Sequence, residues 1–330
     1  MPACQCAAIG RIGMTTGRSE QLEALAAAYE AGGGHAATLF DRSSASLSVS
    51  GNAVIGSNEI PGVHIEGTAL PNGVRAIITV DPGAVVPRPV HLCFGVVPEE
   101  GVQEIVSEYR IGDGARVAFV AHCTFPNALR VRHVMNARMH IGKRAEMTYS
   151  ETHFHGDRGG AEVLPALKVF LDEGGVLKNE FRLTRGTVGR LQAEYDAEVG
   201  RDAVCEFYAK VYGKMEDRIV VRESIFLNGE NARGLAKSRI VSSDRCQSEV
   251  IGEVVGNAPF SRGHIDCVEI LKGAHARASA VPRLVVVDDR AKLTHEAAIG
   301  SVDKKQVETL MARGLGEDEA VDVVVRGMLR

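Results

Sequence analysis

Apolar and polar residues alternate along most of this chain. Between about residues 46 and 300 the alternation recurs in short runs, such as Val117-Ala-Phe-Val-Ala, Glu146-Met-Thr-Tyr-Ser and Glu206-Phe-Tyr-Ala-Lys-Val-Tyr. Successive side chains on a β-strand point to opposite faces, so each run indicates a strand with one buried face. Long helical periodicity is missing here, and turns rich in glycine separate the runs. The pattern therefore predicts a mainly β structure.

The turns between these runs form a repeat. An apolar residue, a short polar or glycine-containing turn and a small residue recur, with the apolar member at Ile111, Ile141, Leu171, Val199 and Leu227. Successive members lie 30, 30, 28 and 28 residues apart. Such a period is typical of stacked supersecondary units that bury a shared core. We therefore predict a β-helix; the alternative is accidental recurrence of a common turn.

A helix is predicted before the β region. Residues 19–31 read SEQLEALAAAYEA, with apolar residues on one helical face. Ser19 suits the N-cap position, and the three glycines that begin at Gly32 should end the helix.

Two short helices are predicted after the β region. Asp303 and Gln306 have the spacing of a capping box, Gly314 suits a helix end, and a second helix follows over 317–326. These helices could dock a partner, cap the open end of the β stack, or do both. The chain is expected to have three parts: a short N-terminal helical region (1–45), a β-helix core (46–300) and a C-terminal helical segment (301–330).

Composition argues against several classes of partner. The 330 residues carry a formal net charge of −4, with 5% aromatic residues and no tryptophan. Neither a basic nucleic-acid footprint nor a base-stacking platform is therefore expected. No run of about 18 apolar residues indicates a membrane span, and the first residues do not have the pattern of a signal peptide. Seven scattered cysteines are typical of reduced, mostly buried thiols, so we expect a cytoplasmic protein.

Several catalytic motifs are missing from the sequence. Gly142-Lys143 and Gly213-Lys214 are not followed by Ser or Thr, so no phosphate-binding loop is present. There is no nucleophile-elbow motif, and no paired Cys-x-x-Cys that would indicate a closed zinc or ferredoxin-type site. Any ATP hydrolysis is expected to come from another chain.

Two groups of residues could bind a metal. His153 and His155 share a face if they lie on a strand, but without a third nearby ligand a structural pair is the favoured interpretation. Cys267, His295 and Glu296 offer a thiolate, an imidazole and a carboxylate within 30 residues. A thiolate holds iron and sulfide, whereas imidazole and carboxylate are more easily displaced, which suits a site that gives its cluster away. Spacing alone still favours a structural role for these three.

Three segments carry a resemblance to a known family. The most specific is 294–320, which begins Thr294-His-Glu-Ala-Ala-Ile-Gly-Ser-Val-Asp-Lys-Lys-Gln306; the others are Cys267-Val-Glu-Ile-Leu-Lys-Gly-Ala-His275 and, more loosely, Cys123-Thr-Phe-Pro126. Over about residues 85–330 the chain resembles the SufB/SufD family of iron–sulfur cluster assembly proteins. The resemblance implies a right-handed parallel β-helix, flanked by helical segments, that dimerises with a nascent cluster at the dimer interface.

The resemblance also implies roles for particular residues and partners. Cys267 and Glu296 match the cluster-related Cys and Glu of SufB-type chains, and His295 matches the corresponding His of SufD-type chains. Cys123 matches a SufB cysteine thought to receive sulfur, which would pass inside the β-helix toward Cys267. The donor would be a cysteine desulfurase or free sulfide. The C-terminal helices would dock SufC, an ABC-type ATPase, and apo iron–sulfur proteins would receive the cluster.

The sequence departs from the family pattern in two respects. Its N-terminal region is shorter than that of SufB or SufD, and a single chain holds the SufB-type Cys and Glu together with the His. These departures favour a homodimeric scaffold that carries a transient iron–sulfur cluster and is not itself an enzyme. A flavin could take part, but no residue pattern supports one. Two alternatives stay open: a carbohydrate-active β-helix enzyme, disfavoured by the scarcity of aromatic residues, and a cluster-free adaptor for an ATPase.

Overall fold

The computed structural model describes residues 16–330, with side chains from Glu20 onward. It contains the helices α1 (Thr16–Ala31), α2 (Ala37–Phe40), α3 (Lys304–Met311) and α4 (Glu317–Met328). Between α2 and α3 the chain is almost entirely β-strand. Among the described residues, no helix is both long enough and apolar enough to cross a bilayer.

The strands of the described residues form two sheets. Sheet A has ten strands in the spatial order β19 (Lys292–Ser301), β17 (Arg262–Lys272), β15 (Arg233–Ser243), β13 (Val204–Gly213), β11 (Val176–Arg185), β9 (Glu146–His155), β7 (Arg116–Phe125), β5 (Val90–Gly95), β1 (Ser46–Ser50) and β2 (Ala53–Asn58). Sheet B has nine, in the order β18 (Arg277–Val286), β16 (Gln247–Gly256), β14 (Arg218–Leu227), β12 (Gly189–Val199), β10 (Ala161–Leu171), β8 (Arg130–Ile141), β6 (Glu100–Ile111), β4 (Gly73–Val80) and β3 (Val63–Leu70).

From β4 to β19 the chain winds as a parallel β-helix. Successive strands alternate between the two sheets, and each pairs in parallel with the strand two positions along the chain. One coil therefore contributes one strand to each sheet, with a core between them. Only the first coils differ, because β1 and β2, and likewise β3 and β4, pair as antiparallel hairpins. The predicted β-helix is confirmed.

The repeated apolar residues of the sequence stack at one corner of the coil. Ile111 pairs with Ile141, and the column continues through Leu171, Val199 and Leu227, every one of them buried. The turn after each of them contains a residue with positive φ, a conformation that favours Gly, Asn and Asp. Those residues are Gly114, Arg144, Gly174, Asp202 and Asn231. Turn geometry therefore fixes the repeat, and accidental recurrence is excluded.

The N-terminal helix covers the outer face of the first coils. Leu25 and Tyr29 of α1 are buried, and the Tyr29 ring lies 4.3 Å from that of His122 on β7. The helix begins at Thr16, so Ser19 lies within it, and the predicted N-cap at Ser19 is wrong. It ends at Ala31 as predicted, where Gly33 adopts a φ of +97°.

The C-terminal helices lie against the side of the coil. Asp303 caps α3 by accepting a hydrogen bond from the Gln306 backbone N–H at 3.0 Å, as predicted. Val325 of α4 and the adjoining C-cap residue Leu329 pack with Val241 at the ends of the sheet A strands. The second helix extends to Met328, two residues beyond its predicted end. Strands β18 and β19 remain largely exposed, so these helices do not cap the open end. The limits of the three-part division stay a prediction.

Candidate functional site

Polar side chains occur inside the coil, among otherwise apolar neighbours. Cys123, Glu151 and His153 are all buried, and their potential ligand atoms lie within 4.8 Å of one another. His153 Nε2 lies 2.6 Å from Glu151 Oε1, and the Cys123 thiol lies 3.7 Å from the same oxygen. A thiol, a carboxylate and an imidazole thus converge in the interior. We call this group the interior cluster.

Strand register brings the interior cluster together. Cys123 on β7 pairs directly with His153 on β9, so the two side chains are stacked on neighbouring coils. Glu151 precedes His153 by two residues and therefore shares its inward face. The opposite wall belongs to sheet B, where the Met135 sulfur on β8 lies 3.9 Å from the Cys123 sulfur. The site therefore depends on both sheets.

Two more histidines border the interior cluster. The ring centroids of His133 and His155 lie 6.0 Å and 5.7 Å from that of His153. Burial lowers the pKa of both His133 and His155 well below the usual value, so both rings are neutral at pH 7. Neither ring makes a hydrogen bond to any described residue through either nitrogen. The predicted His153-x-His155 pair is thus buried with stacked rings, and only His153 contacts the other potential ligands.

The second candidate region lies near the open end of the coil. Cys267 on β17 is 2% exposed and pairs with Ser238 on β15. Burial, with the nearby carboxyls of Glu223 and Glu269, raises the pKa of the Cys267 thiol to about 11, although Ser238 offsets part of this. Burial also raises the pKa of Glu223 to about 8 and that of Glu269 to about 7. The thiol is therefore protonated at pH 7 unless a cation stabilises its thiolate.

His295 and Glu296 lie on β19, next to the strand that carries Cys267. His295 pairs with Ile265 and therefore shares the inward-facing side of the sheet with Cys267. A diagonal of one strand and two residues puts the Cα atoms of His295 and Cys267 about 8 Å apart. Glu296 pairs with Asp266 and lies on the outer face. Both side chains are exposed, because no further coil covers β19.

Cys123 and Cys267 do not share a site. Five strand spacings in sheet A separate β7 from β17, which amounts to about 24 Å. Buried between them along the interior are Glu151, Cys205 and Glu223. The Cys123 thiol is fully buried, so a sulfur donor can reach it only if the coil opens locally. All five cysteines within the described residues are free and buried, as predicted, whereas Cys4 and Cys6 lie outside them.

Sequence reasoning overlooked the interior carboxyl groups. In the sequence, Glu151, Glu223 and Glu269 do not differ visibly from the many other charged residues of alternating strands. Each occupies an inward position of its strand, which is visible once the strand is counted from a buried corner residue. Glu223, for example, lies four residues before Leu227, and an even separation puts both on one face.

Known proteins are similar in sequence to this chain over most of its length. A family model described as "SUF system FeS cluster assembly, SufBD core domain" matches residues 109–328. An iron–sulfur cluster assembly SufBD family protein of Methanocaldococcus jannaschii is 42% identical over 268 residues, which cover 81% of this chain and 84% of that protein. One from Pyrococcus horikoshii is 34% identical over 292 residues, 88% of this chain and 89% of that protein. The chain therefore belongs to the SufBD family of iron–sulfur cluster assembly proteins.

Proposed function

We propose that this chain is a scaffold on which an iron–sulfur cluster is assembled at Cys267 and then released. One observation carries this proposal: β17 and β19 place the Cys267 thiol and the His295 imidazole on the same face, at the open end of the coil. A thiolate can hold iron and sulfide, while an imidazole or a carboxylate is an iron ligand that is more easily displaced. Such a mixed set suits a cluster that is cargo, since four thiolates would hold it permanently.

The open end of the coil supports assembly as a homodimer. β18 and β19 are the last strands of their sheets, so each presents an unpaired edge. Val281, Val286, Val287 and Ile299 expose apolar surface at that end. Unpaired edges with apolar surface favour association with another chain. In a two-fold dimer each copy would contribute Cys267, His295 and Glu296 to one shared site.

The C-terminal helices support a mechanical link to an ATPase. We propose that a SufC-type ABC ATPase docks on α3 and α4, because this sequence has no phosphate-binding loop. The α4 helix packs against Val241 and Ile270, and its Asp322 forms an ion pair with Lys272, with Nζ and Oδ1 2.9 Å apart. Ile270 and Lys272 lie on β17, three and five residues after Cys267. Movement of α4 would therefore act on the strand that holds the cluster thiol.

The remaining parts of the proposal concern supply and delivery. On family resemblance, Cys123 accepts sulfur from a cysteine desulfurase, or free sulfide enters directly, and apo iron–sulfur proteins in the cytoplasm receive the cluster. The interior row of Glu151, Cys205 and Glu223 between the two cysteines is compatible with transfer inside the coil. Cys123→Ser should slow cluster formation driven by a desulfurase and spare formation from sulfide.

Anaerobic reconstitution with iron and sulfide tests the scaffold proposal. The full chain should bind both in stoichiometric amounts and gain visible absorbance, and Cys267→Ser should lose that absorbance. Cys205→Ser is the matched control, since Cys205 is also a buried, inward-facing thiol of sheet A. Equal cluster content in the parent protein and Cys267→Ser, with both folded, would refute the site.

A further inference from the structure

The interior cluster has the chemistry of a metal site separate from the open end. We propose that Cys123, Glu151 and His153 bind one thiophilic divalent cation, Zn²⁺ or Fe²⁺, inside the coil. This inference does not depend on cluster assembly at Cys267, which lies about 24 Å away along sheet A, although it uses the Cys123 thiol that the proposed function assigns to sulfur acceptance.

The geometry of the donor atoms fits a single ion. Zn²⁺ or Fe²⁺ held at about 2.0–2.3 Å from three donors requires those donors to lie about 3–4 Å apart. The Cys123 sulfur is 3.7 Å from Glu151 Oε1, and His153 Nε2 is 2.6 Å from that oxygen. The ion would fit if the distance between His153 Nε2 and Glu151 Oε1 increased by less than about 1 Å. The strand pairing of Cys123 with His153 already holds two donors on adjacent coils.

Charge and chemistry of the three donors also favour a divalent ion. A thiolate and a carboxylate together neutralise two positive charges, and the imidazole adds a neutral donor. Burying an uncompensated carboxylate is costly, whereas coordination of a metal satisfies it. Binding would send the Cys123 thiol proton to solvent and shift the proton between His153 Nε2 and Glu151 to the unpartnered His153 Nδ1, so each ion bound should release one proton.

A small cavity and two histidines without hydrogen-bond partners lie beside the interior cluster. Glu151 borders a cavity of about 20 Å³ that Asn179 and Tyr195 also line, which is sufficient for one water molecule. His133 and His155 are fully buried, and neither has a hydrogen-bond partner among the described residues. Buried polar groups without partners are rare, and an unplaced ion or water is a common reason. A fourth ligand can therefore come from water in this cavity, whereas the His133 ring, with its centroid 6.0 Å from that of His153, borders the site.

Competing explanations of the cluster make different predictions. If the Glu151–His153 contact is only a hydrogen bond, the chain will take up no metal at this position. If metal binds only at the open end, Cys267→Ser will abolish it and Cys123→Ser will not.

Cobalt is a suitable probe, because a thiolate bound to Co²⁺ gives a charge-transfer band in the near ultraviolet. The full chain, equilibrated anaerobically with Co²⁺, should show this band, and the Cys267→Ser variant should still bind one ion per chain. Cys123→Ser should lose the band, and His153→Gln should lose or weaken it. Cys205→Ser and Cys267→Ser should both retain it, each variant being checked for folding by circular dichroism.

Two further measurements complete the test of the interior metal site. Mass spectrometry after equilibration with Zn²⁺ or Fe²⁺ identifies the preferred ion, and a pH indicator counts the proton released. Should Cys123→Ser not fold, Glu151→Gln replaces it, with loss of bound ion expected. Absence of cobalt binding, or an undiminished band in Cys123→Ser, overturns the inference. Retention of the band by Cys267→Ser while cluster formation is lost would separate this site from the proposed scaffold site.

Discussion

Glu223 and Glu269 are ionisable residues in positions where an all-apolar core would have Val or Ile. Burial raises the pKa of Glu223 to about 8 and that of Glu269 to about 7, above the value of about 4.3 for an exposed glutamate. At neutral pH the folded chain therefore retains protons that the unfolded chain releases. These groups should make the protein less stable as the pH rises.

The first prediction concerns Glu223 and pH. An acid whose pKa is higher in the folded state adds full stability below about pH 4, and that stability is lost as the pH rises toward about 8. A tenfold difference in the acid dissociation constant between the folded and unfolded chain corresponds to about 1.4 kcal/mol. Glu223 should therefore contribute a fall of a few kcal/mol in the free energy of unfolding between about pH 5 and pH 8. Below about pH 6.5 the buried His133 and His155 oppose this fall, because their pKa values are lowered in the folded chain. Glu223→Gln should flatten this dependence and raise the melting temperature at pH 8.

Glu104→Gln is the matched control, because Glu104 is exposed on β6. Its melting temperature should follow that of the wild type at every pH. An unchanged pH dependence in Glu223→Gln would show that Glu223 is ionised in the folded state.

The second prediction separates the two residues next to each other on β19. His295 shares the inward face with Cys267, whereas Glu296 lies beside Asp266 on the outer face. Without the ATPase, His295→Ala should therefore reduce the visible absorbance of the reconstituted cluster more than Glu296→Ala does. Folding and oligomeric state are checked for both variants. The reverse order would assign the ligand role to Glu296 in this state.

The candidate residues were only partly predictable from sequence. Cys267, His295 and Glu296 stood out because residue type and order match a family motif. Proximity of Glu151 to Cys123 could not be read from the sequence, because it requires the pairing of β7 with β9 across a turn of the coil. The contribution of Met135 and His133 requires, in addition, knowledge of which sheet B strand faces which sheet A strand.

Turns and caps determine how well the elements could be predicted. The column from Ile111 to Leu227 was visible in the sequence because the turn after each of these residues contains a position with positive φ. The turns therefore have similar composition and recur at a regular spacing. The C-terminal helix α3 was found through its Asp303 cap. The start of α1 was misplaced, because Ser19 has the right chemistry for a cap but the helix continues to Thr16. A residue that suits the N-cap position can also lie inside a helix, so its presence alone does not determine the first residue of the helix.

The third prediction concerns the docking surface on α4. Val323 is 42% exposed, whereas Val325 on the same helix is buried against Val241. Val323→Asp should therefore abolish co-purification with a SufC-type ATPase and leave the melting temperature within about 1 °C of wild type. Val325→Ala should instead lower stability by about 1–3 kcal/mol, because it removes buried methyl groups.

A control valine lies far from the C-terminal helices. Val102 on β6 is 44% exposed, so Val102→Asp introduces the same charge at similar exposure. It should leave ATPase binding intact. Retained binding by Val323→Asp would move the docking surface away from the exposed side of α4.

At the scale of the whole molecule, the two ends of the β-helix differ. Antiparallel hairpins and α1 cover the first coils, whereas the last coil is open: the inward residues of β18 are half-buried and those of β19 are mostly exposed. An uncovered core end is unfavourable in a monomer, because it leaves apolar surface and strand edges in water. A second copy of the chain would cover that end.

The fourth prediction is that the chain is a dimer in solution. Light scattering at micromolar concentration should give twice the chain mass of 35.3 kDa. Ile299→Asp, at a side chain 45% exposed on β19, should shift the protein toward monomer. Val85→Asp, at a side chain 69% exposed near the covered end, should not. A monomeric wild type would contradict the shared cluster site.

Cluster transfer tests the central claim most directly, because a scaffold must give away what it assembles. The reconstituted dimer is mixed anaerobically with an apo iron–sulfur protein in the presence of an iron chelator, and the spectrum of the acceptor is followed. We predict that the acceptor gains its cluster, that the dimer loses absorbance at the same rate, and that Cys267→Ser supports no transfer. A cluster that stays on the dimer, or iron that goes entirely to the chelator, would contradict the account.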